Sequence, residues 1–339
     1  MKQWFPMDGD AIVTRENFVF YAFGYEHPED GVLSFLKYIP SKLKSYFPLR
    51  FLEQSWRLRD VELARPEKLY TAQNFQKLME TFRRSFPQYV YFCPFRGRDI
   101  MGVPLRLVER VYVPRECLQR LFERKRKDGL QKLASELTSL LSTASGVPLE
   151  DFGVHGSLAL NMHTEKSDVD LVVYGSRNFR SLEGAVDKLV EEGTLKYVFT
   201  KRLDRVRKHR GRYKDKRFVY NAVRKTEEVG FRYGDYRYFA VKPVTFSCEV
   251  VDDTEAMFRP AVYSIADYQP HDSASELGEN EAPTRVVSMI GYYRNVARRG
   301  DRIKVSGMLE RVEKVETGET HHHVVVGSGT REDEYIWPL

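Results

Sequence analysis

From Asp128 to Gly146 apolar side chains recur at positions 130, 133, 134, 137, 140, 141 and 144. A repeat of three to four residues predicts one helix with a single buried face. Asp128 is suited to cap its start, Gly146 to end it, and Pro148 blocks continuation. A short apolar run, Phe152 to His155, reads as a strand. The segment DVDLVVY after Ser167 is a second, with an acidic start and a β-branched body. Ser181 to Glu192 carries Leu182, Ala185, Val186, Leu189 and Val190 on one face, which predicts a helix capped by Ser181 and stopped by Gly193. Val241 to Val251 alternates, with Val244, Phe246, Cys248 and Val250 on one face and Thr245, Ser247, Glu249 and Val251 on the other.

The first part of the chain is less regular. Ala11 to Tyr25 reads as strand, Asp30 to Tyr46 as mixed with a helix through LSFLKYI, 72–86 as helix and Tyr89 to Phe95 as buried strand. Its aromatic residues Phe18, Phe20, Tyr21, Phe23 and Tyr25 are expected to pack inward. Residues 114–127 form a linking helix that ends in ERKRK. Beyond Asp253 and the acidic, loop-like 276–283, short strands are expected over 257–265, 285–293, 301–312, 320–326 and 334–337, with glycines in the turns. Short strands at such spacing predict a small β-barrel, of which the oligonucleotide-binding type is one version.

Composition narrows the class. The 339 residues are 42% hydrophobic and 30% charged, which suits a globular protein of two or three domains. No apolar run approaches the roughly 18 residues of a membrane-spanning helix, and the start, with Asp8 and Asp10, lacks a signal-peptide pattern. Cys93, Cys117 and Cys248 lie far apart in no CxxC pair, so reduced thiols and a cytoplasmic location are expected. His321 and His323 share a strand face, but no acid or cysteine stands at a fixed ligand spacing from them. Net charge is +6, and it is uneven. The run from Lys201 to Arg217 holds ten Lys or Arg against two Asp, a local excess of +8. Such a run reads either as a solvated face or as a surface for RNA, DNA or a triphosphate, its length favouring a polymer.

The densest chemistry lies between Gly156 and Leu171, GSLALNMHTEKSDVDL. Asp168 follows Ser157 by eleven positions, and Asp170 follows two later. Residues two apart on a strand share a face, so the carboxylates project together. Adjacent carboxylates repel and favour a cation between them; Mg²⁺ prefers oxygen ligands of this kind.

This pattern resembles the signature of the polymerase-β-like nucleotidyltransferase superfamily, with its nearest flavour in archaeal CCA-adding enzymes. The match rests on Gly156, Ser157, Asp168 and Asp170, preceded by the apolar Phe152 and Val154. It covers a small part of the chain; the order and spacing, not the separate pieces, carry it. The resemblance implies an α/β nucleotidyltransferase core with a mixed sheet and helices. An α+β N-terminal domain and a small C-terminal β-barrel would flank it, with divisions at 1–112, 113–265 and 283–339. It implies transfer of an NMP from an NTP to a hydroxyl with release of pyrophosphate, assisted by two ions, Mg²⁺ or Mn²⁺. Asp168 and Asp170 would hold the metals. Gly156 and Ser157, with the amides after them, would hold the triphosphate. A third carboxylate on a later strand would complete the site. Glu249 is the acid inside the 241–251 run and the expected third ligand; Asp252 and Asp253 are its rivals. The acceptor expected from the 201–217 run is a nucleic-acid end. A protein or small-molecule acceptor, and an inert nucleic-acid-binding module, stand as alternatives. No membrane partner is expected, and the sequence says nothing of oligomeric state.

Overall fold

Three hydrogen-bonded sheets organise the chain in the computed structural model, which describes residues 4–69, 71–278 and 280–339. The first is eight-stranded: β1 (Ala11–Thr14), β2 (Val19–Ala22), β3 (Gly31–Pro40), β4 (Trp56–Leu58), β5 (Val61–Ala64), β6 (Val90–Cys93), β7 (Arg98–Pro104) and β8 (Val108–Tyr112). Helix α1 (Ala72–Ser85) packs on it through Leu78, Met79 and Phe82. The expected helix through LSFLKYI is instead the ten-residue strand β3. Its apolar residues run almost unbroken because both faces are covered. Val32, Leu36 and Ile39 join one core, Tyr38 and Phe35 another. A strand buried on both sides loses the period-two signature by which it would be recognised. Phe18, Phe20 and Tyr21 are buried, as their spacing suggested.

Next come α2 (Pro114–Glu123), α3 (Gly129–Ser145), β9 (Phe152–Val154), α4 (Gly156–Ala159), β10 (Val169–Tyr174), α5 (Ser176–Glu191), β11 (Lys196–Tyr197), α6 (Asp204–Arg207), β12 (Arg210–Tyr213) and β13 (Lys216–Val223). Their strands form a five-stranded mixed sheet in the order β11-β12-β13-β10-β9. Helix α3 has the expected caps: a reciprocal Asp128–Gln131 box at its start and Gly146, left-handed at φ 71°, at its end. Helix α5 begins five residues before the expected Ser181. Its first turn is capped by Glu228, whose Oε1 accepts from Ser176 N at 2.8 Å and Ser176 Oγ at 2.9 Å. A cap supplied 52 residues away is invisible to local patterning. Val169, Leu171 and Val173 turn inward against α2, α3 and α5, so the opposite face of β10, with Asp168 and Asp170, is left for chemistry.

The third sheet joins β14 (Tyr236–Glu255), β15 (Ala261–Pro270), β16 (Arg285–Ser288), β17 (Arg302–Lys314), β18 (Thr320–Val326) and β19 (Tyr335–Pro338). It curls on itself: β14 pairs with both β15 and β17, so the path β14-β15-β16-β18-β17 returns to β14. All pairs are antiparallel except β16 with β18. Strands β14 and β15 therefore belong with the C-terminal strands, and a division at 265 falls inside this sheet.

Buried charges lock the three parts together. Asp8 Oδ1 accepts from Gly24 N at 3.0 Å and from Arg259 Nε, in the β14–β15 turn, at 2.8 Å. Arg224, at the end of β13 and 3% exposed, pairs with Glu255 and stacks on Phe258 at 4.3 Å, while its backbone N–H donates to Tyr25 Oη at 3.0 Å. Beside this junction lies Asp10, 1% exposed, whose Oδ2 accepts from Trp4 Nε1 at 2.9 Å and Met7 N at 3.1 Å. Its Oδ1 has no hydrogen-bond partner.

Burial above all raises the Asp10 pKa from 3.8 to about 7, despite those two donors; Asp8 and Glu116 push the same way. The folded state therefore holds a proton that the unfolded state has released between about pH 4 and 7. Stability should fall as pH rises through that window, by on the order of a few kcal/mol. Asp10→Asn keeps the accepting oxygen and removes the titration. Urea denaturation at pH 4.5 and 7.5 should show the variant gaining on the wild type at the higher pH. An equal difference at both pH values would refute this account.

Candidate active site

The turn between β9 and α4 exists because Gly156 is there. Its φ is +62°, a conformation that suits glycine. A Cβ on Gly156 would lie 2.3 Å from Asp170 Oδ2, so any side chain would occupy the place of the carboxylate. His155 fixes the same turn from the other side. Its N–H donates to Asp170 O at 2.8 Å, and its Nε2 lies 2.7 Å from Gly9 O. Burial lowers the His155 pKa to about 4, so the ring is neutral and serves as a spacer between the N-terminal segment and β10. Ser157 follows on the same turn, half-buried.

Strand pairing sets what surrounds the two acids. In the parallel β10–β13 register Asp170 faces Val219, and in the antiparallel β12–β13 register Val219 faces Arg210. Paired residues in neighbouring strands share a face, so Asp170, Val219 and Arg210 form one row. Arg217 and Arg212 form the row on the Asp168 side, and Arg217 Nε lies 3.4 Å from Asp168 Oδ1. Asn221 sits beside Val172 in the next row. From the N-terminal sheet, Lys37 on β3 and Arg65 just after β5 direct their charges at Asp170. Burial raises the Asp170 pKa, and the neighbouring Asp168 adds to this; Lys37, Arg65 and Arg210 oppose it. Arg65 Nε is buried without a hydrogen-bond partner.

The expected third acid is elsewhere. Glu249 lies on β14, opposite Ala266 and Arg302, in the curled sheet rather than beside β10. Its rivals are also engaged: Asp252 caps Thr254 at 3.0 Å, and Asp253 pairs with Arg180 on α5 at 2.7 Å. The row position next to Asp170 is filled by Val219. Among the described residues no group of three or more His, Cys, Asp or Glu is placed to hold a metal. The two aspartates alone suit a Mg²⁺ ion that takes its remaining ligands from phosphates and water.

The basic run divides. Lys208 pairs with Asp187, Lys214 with Glu136, and Arg217 with Asp168. Lys201 and Arg202 lie over Tyr292 and Trp337 of the C-terminal part, at 5.3 and 4.9 Å. Arg207 is buried. Lys201, Arg202 and Arg207 thus meet the C-terminal part, the three ion pairs stay within the core, and Lys201, Arg202, Arg205 and Arg212 stay exposed. Lys37 and Arg65 gave no signal in the sequence, because only the packing of one sheet on another brings them to β10. His323, which has no acid at a ligand spacing along the chain, binds the buried Glu310 at 3.0 Å across the β17–β18 ladder.

The described residues include no helix long and apolar enough to cross a membrane. Residues 130–229 match the family model described as nucleotidyltransferase domain. The chain is 26% identical, over 350 aligned positions spanning 96% of it and 97% of the relative, to an uncharacterized protein of Methanocaldococcus jannaschii. No solved structure matches. The matched segment contains the Gly-Ser turn, both aspartates and the strands that flank them, and it is a nucleotidyltransferase domain of the polymerase-β-like superfamily.

Proposed function

We propose that the chain transfers an NMP from an NTP to an acceptor hydroxyl, with Mg²⁺ or Mn²⁺ held by Asp168 and Asp170. The observation that carries this reading is the seat of the Asp170 carboxylate against the Gly156 backbone. That contact brings the phosphate-binding turn and the metal-binding strand to one point. The acceptor oxygen bonds to the α-phosphorus as the bond to pyrophosphate breaks, and the hydroxyl proton passes to solvent water. Bound there, the metal would neutralise phosphate charge and ease ionisation of the hydroxyl. Gly156 lets the backbone approach the triphosphate, with Ser157 beside it as a hydroxyl donor. Lys37 and Arg65 supply positive charge suited to the departing pyrophosphate.

Because Glu249 lies on another sheet, a single ion between Asp168 and Asp170 fits these residues better than the three-acid, two-ion arrangement. The favoured acceptor is a nucleic-acid end, with Lys201, Arg202, Arg205 and Arg212 as phosphate contacts and the curled sheet as an oligonucleotide-binding-type barrel. Transfer of labelled NTP onto RNA, DNA, a small hydroxyl compound and the protein itself separates this acceptor from the alternatives. The presence of Val219 where an acid would stand favours one second reading, an inert nucleic-acid binder. Absence of any transfer together with retained RNA binding would establish it.

Asp168→Asn and Asp170→Asn should each lower turnover by more than about a hundredfold, exceeding the loss typical of outer-shell partners of a metal. Thermal unfolding should be little changed, and Ser157→Ala should weaken NTP binding more mildly. Full turnover in both Asn variants would refute the assignment. Gly156→Ala should lose Mn²⁺ binding, read by calorimetry, as well as turnover, because the new methyl group displaces the Asp170 carboxylate. Unchanged Mn²⁺ affinity would show that this contact does not shape the site.

A further inference from the structure

A cavity of about 680 Å³ lies where the three parts of the chain meet, and the core contributes Arg207, His209, Arg210, Val219 and Asn221 to its wall. Val219 and Arg210 are the residues in the same row as Asp170, so the cavity begins beside the acid pair on its β13 side. The Gly-Ser turn is on the other side, next to β9. The cavity volume is in the range of sites that enclose a small molecule.

Positive charge is concentrated in this wall. Arg207 is 5% exposed, yet its guanidinium is met by a backbone carbonyl, Arg294 O at 2.9 Å from Nε, and by the Tyr292 ring at 6.0 Å. Arg294 stands beside it and donates to Asn221 Oδ1 at 2.9 Å. Arg210 Nε donates to His209 Nε2 at 3.4 Å and lies 4.0 Å from Asp204 Oδ1. Asp204 is committed to its own loop: its Oδ2 accepts from Thr200 N and Lys201 N, both at 2.8 Å. Since His209 Nε2 accepts, its Nδ1 carries the hydrogen, and that atom is buried with no partner. Burial, then the charges of Arg294 and Arg210, depress the Arg207 pKa to about 9. Burial and the arginines also push His209 well below its usual range, which keeps it neutral. A buried guanidinium repelled by its neighbours, beside an unmatched N–H donor, is stabilised by an anion. A phosphate offers acceptors in the fork geometry that arginine prefers.

We propose that Arg207, His209 and Arg210 form a phosphate site for the acceptor, which is therefore a phosphorylated molecule presenting its hydroxyl to Asp168 and Asp170 from the β13 side. This rests on the nucleotidyl-transfer reading and adds the chemical class of the acceptor. The triphosphate is assigned to the Gly-Ser turn, which leaves this second anion site for the other substrate. A free phosphorylated sugar and the end of a polynucleotide carry the same group.

Calorimetric titration of the full chain with inorganic phosphate, ribose 5-phosphate and the dinucleotide pUpU, without NTP or divalent metal, tests the site directly. The wild type should bind all three. Arg210→Gln, at a half-exposed position, should weaken each at least tenfold, and Arg207→Lys, which keeps the charge and loses the fork, at least severalfold. Arg84→Gln, the same charge change at an exposed position on α1 outside the cavity, should stay within twofold. Tighter binding of pUpU than of ribose 5-phosphate assigns the phosphate to a strand end; equal binding assigns it to a small acceptor. No phosphate binding, or equal binding by folded Arg210→Gln and Arg84→Gln, would overturn the proposal. Because NTP is absent, that result would leave the transfer reading intact, whereas absence of any NMP transfer by the wild type would overturn the transfer reading and leave a phosphate site.

Discussion

A carboxylate that must stay charged while it loses water needs opposite charge nearby, and Asp170 is where this constraint is met. Its backbone is tied to His155, its side chain touches Gly156, and its neighbour Asp168 repels it. Burial and that repulsion favour a proton on Asp170; Lys37, Arg65 and Arg210 counter them. Two of these cations come from the N-terminal sheet and one from β12. The charge state of the central acid therefore depends on how separate parts of the chain pack.

The same dependence explains the buried charged junctions. Asp8 bridges the N-terminal segment and the β14–β15 turn, and Arg224 ties the end of β13 to Glu255 and Tyr25. Such pairs gain little net energy relative to apolar packing, but separating them leaves a charge stranded. They penalise any displacement of one part against another. This suits a site whose acids lie on one sheet, whose counter-charges lie on another and whose cavity is shared by all three.

The basic run shows how one feature of composition divides once folded. Lys208, Lys214 and Arg217 meet acids, Lys201 and Arg202 stack on aromatic rings, and Arg207 and Arg210 turn to the cavity. Counting charge along the chain treats them as one surface. The fold assigns them to clamping the curled sheet, balancing Asp168 and lining the cavity wall.

Local periodicity alone determined helix α3 with its caps, the shared face of Asp168 and Asp170, and the Gly-Ser turn before them. Each depends on residues within a few turns or one strand. The start of helix α5 and the nature of strand β3 escape local pattern, because a distant carboxylate supplies the cap and burial on both faces hides the alternation. Glu249 had the correct strand pattern, but strand pattern does not say which sheet a strand joins. Partners on β13 and β12, the cations Lys37 and Arg65, and the cavity were decided only by tertiary structure. Hydrogen-bonded register and sheet packing bring together residues that no spacing along the chain relates.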